Sequence, residues 1–162
     1  MANDNELDST EETTKHIDTV FERLVAFSAK ILSRGHLHDR SKLRLPEKPD
    51  FDRYTPELSK FKYGTPEYEQ NKARLADALK HHYEVNSHHP EHHPNGLNGF
   101  TLYDLVEYYA DMSASVSRGK DGNIFFSLGK HKEYYGMSDQ LYNILKNTAK
   151  VDFPEQLTPS SD

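Results

Sequence analysis

A run of histidines in the middle of the chain is the first feature that could do chemistry. The stretch HHYEVNSHHPEHHP, His81 to Pro94, holds six of the ten histidines in a chain of 162 residues. Imidazole is a common metal ligand, and histidine-rich tracts are typical of metal binding. The run lies inside the chain and is interrupted by Tyr83, Asn86 and Pro90, so it does not resemble a purification tag. A metal site therefore requires that ligand residues from elsewhere fold onto this stretch.

A second motif, HDRSK, begins with the adjacent pair His38-Asp39. Both side chains can reach one metal ion, the imidazole as a neutral nitrogen donor and the carboxylate as an anionic oxygen donor. The pair alone is a weak signal, because a chain with ten histidines contains some His-Asp pairs by chance. Further ligand-type residues on other predicted helices strengthen the signal, namely His16, His82 and Asp111.

The composition limits the metals and the compartments that suit the chain. It has no cysteine, which excludes disulfides, cysteine nucleophiles and thiolate sites, so every metal ligand must be His, Asp or Glu. These donors suit one or two divalent ions of Mn, Fe, Co, Ni or Zn. No apolar run reaches the roughly 18–20 residues of a membrane helix, and the N-terminus lacks a secretory signal pattern. We therefore expect a cytoplasmic protein with no membrane partner.

The formal charge of -6 is concentrated at the N-terminus, where the first fourteen residues contain five carboxylates and no Lys or Arg. An acidic stretch of this kind is typical of a solvated tail, so we expect a disordered leader over residues 1–13. The remaining chain shows no basic patch of the kind that binds nucleic acid, and we expect no nucleic-acid partner.

Hydrophobic spacing predicts helices joined by loops. The first helix begins at Thr13 or Thr14 and ends at Gly35, and His16 shares its inward stripe with Ile17, Val20, Leu24, Phe27 and Ile31. The segment HLHDRSKLRL predicts a short second helix that Pro46 ends. From Pro46 to Gly64 three prolines and scattered aromatic residues predict a long loop.

Thr65-Pro66 predicts the start of a helix that runs to about Val85, on which His82 faces the core and His81 points away. After a turn-rich connector, Thr101 and Asp104 form a capping-box pattern at the start of TLYDLVEYYADMSASV. One face of this helix carries Asp104, Glu107, Tyr108 and Asp111. Because Asp104 already has a role as cap partner, Asp111 is the better candidate for a metal ligand.

Two further helices are predicted, from about Ile124 to Tyr134 and from Ser138 to Lys150. No alternating strand pattern is present. We therefore expect an all-α fold, a single-domain bundle of about five to seven helices over residues 14–152, followed by a flexible tail over residues 153–162.

The order of a histidine, a His-Asp pair, further histidines and an aspartate on successive helices resembles the HD-domain superfamily of metal-dependent phosphohydrolases. The pieces HDRSK, HHYEVNSHHPEH and DLVEYYAD are similar to a small HD-like family of bacteria and their phages, over roughly His16 to Asp111. The resemblance implies an HD-like bundle with one metal held by His16, His38, Asp39 and Asp111. It implies a second metal held by His82 with His88 or His89 and bridged by Asp39.

The resemblance also assigns roles beyond the ligands. Lys42 is similar to a lysine that lies near the substrate phosphate, and Asp39, Lys42 and Glu107 are the candidate catalytic residues. For Glu107 two readings stay open, a base beside the site or a solvated carboxylate. We expect the other histidines on the surface or in loops: His36, His81, His92, His93 and His131.

The implied function is a metal-dependent phosphohydrolase that acts on a nucleotide or another small phosphoester, in the host cytoplasm if the protein is phage-encoded. One alternative is a di-iron oxygenase on the same fold. Another is a non-enzymatic helical protein that binds a metal or a nucleotide and interacts with a partner.

Overall fold

The computed structural model describes residues 8–62, 64–118 and 122–157. These ranges are helical and contain no strand, which confirms the all-α class. The α-helices are α1 (Thr10–Leu37), α2 (Lys48–Leu58), α3 (Pro66–Lys72), α4 (Ala76–Val85), α5 (Leu102–Val116), α6 (Ile124–Tyr135) and α7 (Asp139–Asp152). The chain divides into two compact units, residues 1–37 and residues 38–162.

The first unit consists of α1. The helix begins at Thr10, so its first turn falls inside the predicted leader, and it continues past Gly35 to Leu37. The stripe that was predicted to face inward is not buried, since Ile17 and Leu24 are 59% and 60% exposed. The prediction was wrong because an amphipathic pattern fixes which residues share a face, whereas burial requires another element to cover that face.

The core of the second unit lies between α5, α6 and α7. Its fully buried side chains include Ile124, Leu128 and Ala149. The predicted tail in part extends this core, because Phe153 packs against it and Gln156 accepts a hydrogen bond from the backbone N–H of Ile124 at 2.8 Å. Residues 1–7 of the predicted leader and 158–162 of the predicted tail lie outside the described residues.

The predicted loop between Pro46 and Gly64 contains a helix, α2, which packs against α3 and α4. Pro49 occupies its first turn, where the missing N–H has no intrahelical partner to lose. The prolines therefore misled the sequence reading, because proline is as compatible with the first turn of a helix as with a loop.

A nearly continuous helical segment follows from Pro66 to Val85, as predicted, with a short 3-10 turn at Ala73–Leu75 between α3 and α4. The Thr65 hydroxyl caps α3 by accepting a hydrogen bond from the N–H of Tyr68 at 3.3 Å. The predicted capping box of α5 is present as well, formed by Thr101 and Asp104. These local signals place α4 and α5, the two helices that carry His82 and Asp111.

The segment HLHDRSKLRL, predicted as a short second helix, forms the end of α1 and a 3-10 turn instead of a separate α-helix. Asp39 has a φ of 57°, in the left-handed region, and a 3-10 turn covers Arg40–Leu43. Aspartate tolerates this conformation better than most residues. The backbone of the second unit therefore turns at Asp39, ahead of α2.

None of the helices in the described ranges is both long and apolar enough to span a bilayer.

We expect Leu128→Ala to lower the free energy of unfolding of the second unit by about 2–5 kcal/mol, because it leaves a cavity at a side chain with no exposed area. Val151→Ala on α7, where the side chain is 78% exposed, is the control and should cost less than about 0.5 kcal/mol. Urea unfolding followed by tyrosine fluorescence measures this unit, since all ten tyrosines lie beyond residue 37. Equal midpoints for the two variants would contradict this core.

Candidate metal centre

Side chains from four segments of the second unit converge on one cluster. They come from the turn at Asp39, from α4, from the turn that follows α4 and from α5. Within this cluster two groups of potential ligands have donor atoms within 4.8 Å of one another. The first group is Asp39, His82, His88 and His89, and the second is His38, His88 and Asp111.

The donor spacing in the first group fits a single transition-metal ion. Oδ1 of Asp39 lies 3.2 Å from Nε2 of His82 and 3.5 Å from Nε2 of His88. Nε2 of His82 lies 3.0 Å from Nε2 of His89. Four ligands at about 2.0–2.1 Å from a tetrahedral ion are about 3.3 Å from one another. These three distances are close to that value, and all four donor atoms lie within 4.8 Å of one another.

Two of these donors are buried and have no hydrogen-bond partner, Oδ1 of Asp39 and Nε2 of His88. Leaving a buried polar atom unsatisfied costs about 1–3 kcal/mol, and folded proteins avoid it. A cation between the two atoms would satisfy both at once. This is the observation by which the residues of the cluster fit a metal ion.

Carboxylates orient three of the imidazole rings. Oε1 of Glu107 lies 2.9 Å from Nδ1 of His38 and 3.1 Å from Nδ1 of His88, and Oε2 of Glu47 lies 3.0 Å from Nδ1 of His82. Because an ionised carboxylate can only accept, each Nδ1 is the donor in these contacts, and in a neutral ring this leaves the lone pair on Nε2. Histidines that ligate metals make this same outer hydrogen bond.

The two oxygens of Asp39 face different donors. Oδ1 faces the first group, whereas Oδ2 lies 3.4 Å from Nε2 of His38 and accepts a hydrogen bond from Lys42 at 2.6 Å. Nε2 of His38 in turn lies 3.5 Å from Oδ1 of Asp111. Asp39 thus stands between two donor sets, which is the position a bridging carboxylate needs. The left-handed backbone at Asp39 lets adjacent residues of the chain reach the same cluster.

Glu47 is a functional residue that the sequence reading missed. It is fully buried at the start of α2, where it accepts hydrogen bonds from Ser41 at 2.9 Å and from Nδ1 of His81 at 2.7 Å in addition to His82. His81 is therefore half-buried beside a carboxylate rather than free on the surface. The signal that could have found Glu47 is Pro49, which fits the first turn of a helix and would have placed Glu47 at its start.

Asn86 and the turn after α4 hold the histidines in place. The Asn86 amide donates to the Ser41 hydroxyl at 2.9 Å and to the His82 carbonyl at 2.8 Å. The N–H of His89 donates to the Asn86 carbonyl at 3.1 Å, and His89 is extended, as expected for a residue before Pro90. The turn therefore folds His89 back towards His82.

The last two histidines of the run brace this turn instead of joining the cluster. Nδ1 of His92 donates to the Glu84 carbonyl, and Nε2 of His93 donates to the Ser87 carbonyl, both at 2.8 Å. One ring nitrogen of each histidine therefore donates a hydrogen bond to a backbone carbonyl within the fold.

Two further histidines were expected on the surface. His36 lies at an exposed position of α1. His131 is instead half-buried, with Nδ1 hydrogen-bonded to the hydroxyl of Tyr108, and burial lowers the pKa of His131 to about 4. It lies on α6, in the second unit, and is not a member of either donor group.

The charges of the cluster keep Asp39 ionised. Burial opposes its ionisation, but the close contact with His82 and the positive charge of Lys42 outweigh burial and hold the pKa of Asp39 well below its usual value. An ionised carboxylate beside neutral imidazole nitrogens is the donor chemistry that divalent transition metals prefer.

The imidazoles of the cluster differ in their protonation. Hydrogen bonds with Asp111 and then Glu107 raise the pKa of His38 to about 10. Burial lowers the pKa of His89 to about 3. In the metal-free protein the cluster therefore holds a proton at His38, and His89 stays neutral with a lone pair available.

The structure brings together six of the seven predicted ligands: His38, Asp39, His82, His88, His89 and Asp111. Both His88 and His89 belong to the first group, where the sequence had left a choice between them. His16 lies on an exposed position of α1, in the other unit, and its role as a ligand stays a prediction.

We expect Asp39→Asn to abolish stoichiometric metal binding, because asparagine tolerates the left-handed backbone but removes the charge between the two donor groups. His82→Ala and His89→Ala should each lower the metal affinity at least about tenfold, a loss typical even of residues that only orient ligands. His92→Ala is the matched control and should bind metal like the unchanged protein. Elemental analysis after equilibrium dialysis measures this; equal losses in all four variants would indicate a diffuse metal-collecting surface.

Glu107→Gln should weaken metal affinity about 10- to 100-fold, because two imidazole rings lose the ionised carboxylate that orients them. The stoichiometry at saturation should stay unchanged, because all the ligand residues are still present. Glu22→Gln, at an exposed position of α1, is the matched control. Cobalt titration followed by visible absorption gives both affinity and coordination. An unchanged affinity would show that Glu107 does not orient ligands.

Searches of curated proteins and of solved structures found no match to the chain. Residues 5–151 match a family of unknown function, DUF5662, so the match includes α1 and nearly all of the second unit. The cluster at Asp39 thus lies entirely within the matched residues, and the chain belongs to the DUF5662 family.

Proposed function

We propose that the protein is a phosphohydrolase that depends on one or two divalent metal ions. The observation that carries the proposal is the pair of buried, unpartnered donors, Asp39 Oδ1 and His88 Nε2, which face each other at 3.5 Å between further imidazole nitrogens. The first ion would be held by Asp39, His82, His88 and His89. The second would be held by His38 and Asp111 with the other oxygen of Asp39.

Bound divalent ions would supply Lewis acidity towards a phosphoryl oxygen and lower the pKa of a coordinated water towards neutrality. Donors of nitrogen and oxygen without sulfur suit Mn, Fe, Co, Ni or Zn. Structural zinc sites are usually rich in cysteine, whereas this chain has none and its cluster offers carboxylates and imidazoles in two adjoining donor groups, which favours this chemistry over a structural role.

Three residues around the donor atoms have further roles in this proposal. Glu47 and Glu107 hold the imidazole rings so that Nε2 points into the cluster. Because Oε1 of Glu107 already accepts from two rings, we assign it to positioning rather than to proton abstraction. Lys42 pairs with Asp39 and lies with its Nζ 5.2 Å from the centre of the Phe51 ring. In this proposal its ammonium group would stabilise charge on a phosphate oxygen beside the cluster.

The proposal keeps the resemblance to the HD-domain superfamily as its second support. The His-Asp pair, later histidines and a later aspartate, whose order suggested that resemblance, are the residues that meet in the cluster. The family match carries no activity of its own, so the cluster geometry is the stronger support.

The test begins with metal content. Protein purified without a nickel column is analysed for bound elements, stripped with a chelator and reloaded separately with Mn, Fe, Co, Ni and Zn. Phosphate release is then measured with p-nitrophenyl phosphate, sugar phosphates, nucleotides and inorganic pyrophosphate. We expect hydrolysis of at least one substrate that requires metal and that Asp39→Asn abolishes.

Two other outcomes would overturn the proposal. Stoichiometric metal without hydrolysis of any of these substrates would favour a non-enzymatic binding protein. A coloured iron form with near-UV absorption that consumes dioxygen would favour the oxygenase alternative.

Lys42→Ala should lower kcat about 100-fold while metal stoichiometry stays unchanged, because removal of one preorganised donor to a developing charge typically costs that much. Lys42→Arg should recover part of the rate, since it keeps the charge. Lys48→Ala, which removes an exposed lysine paired with Asp52, is the control. If Lys42→Ala instead releases the metal, then the lysine acts by holding Asp39 and not on the phosphate.

A further inference from the structure

An open cleft of about 950 Å³ lies in the second unit between α3–α4 on one side and α6 on the other. This volume is in the range of ligand-binding sites for small molecules. One of the lining residues is His89, a member of the first donor group. The cleft therefore leads to the candidate metal centre.

The wall formed by α6 presents aromatic surface. Phe126 and Tyr134 lie two helical turns apart on the same face, and both remain well exposed, at 53% and 78%. Tyr134 meets Tyr135 in a T-shaped contact, with ring centroids 4.7 Å apart, and its high exposure leaves most of the ring accessible to a ligand. Exposed large aromatic side chains that line a cleft mark a binding surface more often than a packing one.

Aromatic contacts continue from the opposite wall to the metal donors. Tyr83 on α4 lines the cleft, and its ring centroid is 4.7 Å from that of His89. Nε2 of His89 is 3.0 Å from Nε2 of His82. A flat molecule in the cleft would therefore have one end beside the donor cluster.

The charged side chains that line the cleft do not favour an anionic ligand. Three lysines and three glutamates line it, so their formal charges cancel. Lys130 pairs with Glu133 at 3.3 Å, and Glu91 accepts a hydrogen bond from Tyr135 at 2.9 Å. The cleft would therefore select a ligand by its aromatic surface. The part of the cleft beside His89, next to the candidate metal centre, would be the part that prefers a phosphate.

The cleft also offers a neutral polar edge. His131 lines it, and burial lowers the pKa of His131 to about 4, so its ring is uncharged at neutral pH. A neutral imidazole can make one hydrogen bond to a heteroatom of a ligand while its other nitrogen keeps the contact with Tyr108.

We propose that this cleft binds a planar heteroaromatic group of the substrate, of the size of a nucleobase, with the ring of Tyr134 as its stacking surface and the phosphoester directed to His89. The proposal rests on the proposed phosphohydrolase function and adds a substrate class and a specificity-determining residue to it. Stacking on an aromatic side chain is sequence-tolerant, so Tyr134 would distinguish substrates with a base from those without one more than it distinguishes among bases.

The test uses direct binding as well as catalysis. Adenosine, guanosine, cytidine and uridine, their 5′-monophosphates and ribose 5-phosphate are the probes, and affinity is measured by calorimetry or ligand-observed NMR. For the probes that carry a base, Tyr134→Ala should weaken binding at least about fivefold, whereas Tyr134→Phe should retain it within about twofold. Ribose 5-phosphate should bind equally to all three proteins. Because Tyr134 is exposed, neither change should alter the fold, which circular dichroism checks.

The outcomes separate this inference from the proposed function. Nucleoside binding that depends on the Tyr134 ring, in a protein that hydrolyses no phosphoester, would support the cleft and refute the hydrolase. Hydrolysis of ribose 5-phosphate and of nucleotides with equal KM, unchanged by Tyr134→Ala, would support the hydrolase and refute the cleft. The cleft is also refuted if no nucleoside or nucleotide binds more tightly than ribose 5-phosphate.

Discussion

The carboxylate of Glu107 fixes two imidazole rings at once, and the arrangement of the cluster depends on it. It accepts hydrogen bonds from Nδ1 of both His38 and His88. His38 lies before α2, whereas His88 lies in the turn after α4. Both rings are thereby held with Nε2 towards Asp39 and Asp111. A flexible pair of histidines would lose conformational entropy on binding an ion; rings that are already fixed lose less, so orientation contributes directly to affinity.

The backbone conformation around Asp39 also determines the arrangement of the cluster. The left-handed residue Asp39 turns the backbone ahead of α2, and the start of α2 then places the buried Glu47 against His82. A buried carboxylate is costly unless its charge is compensated, and hydrogen bonds from Ser41 and two imidazoles provide part of that compensation. A cation on the far side of His82 would provide the rest. The turn, the second helix and the donor cluster therefore stabilise one another.

Local signals in the sequence predicted more of this arrangement than long-range ones. The capping residues Thr65 and Thr101 and the helical period correctly placed α4 and α5 and turned His82 inward, because these effects act over a few residues. The conformation of Asp39 and the burial of Glu47 depend on contacts with segments more than thirty residues away, which no spacing rule contains. Exposure of the α1 stripe has the same cause, since a helix cannot specify its own partner.

The density of histidines in the run follows from two separate demands on one short turn. His82, His88 and His89 must present lone pairs to the cluster, and this requires a sharp reversal of the chain between them. A reversal leaves backbone carbonyls without helical partners. The ring N–H groups of His92 and His93 donate hydrogen bonds to two such carbonyls, those of Glu84 and Ser87. Imidazole serves both purposes because it can present a donor or a lone pair as its surroundings dictate. The histidines of the run therefore have unequal contacts: three lie in the donor cluster, whereas two brace the turn that follows α4.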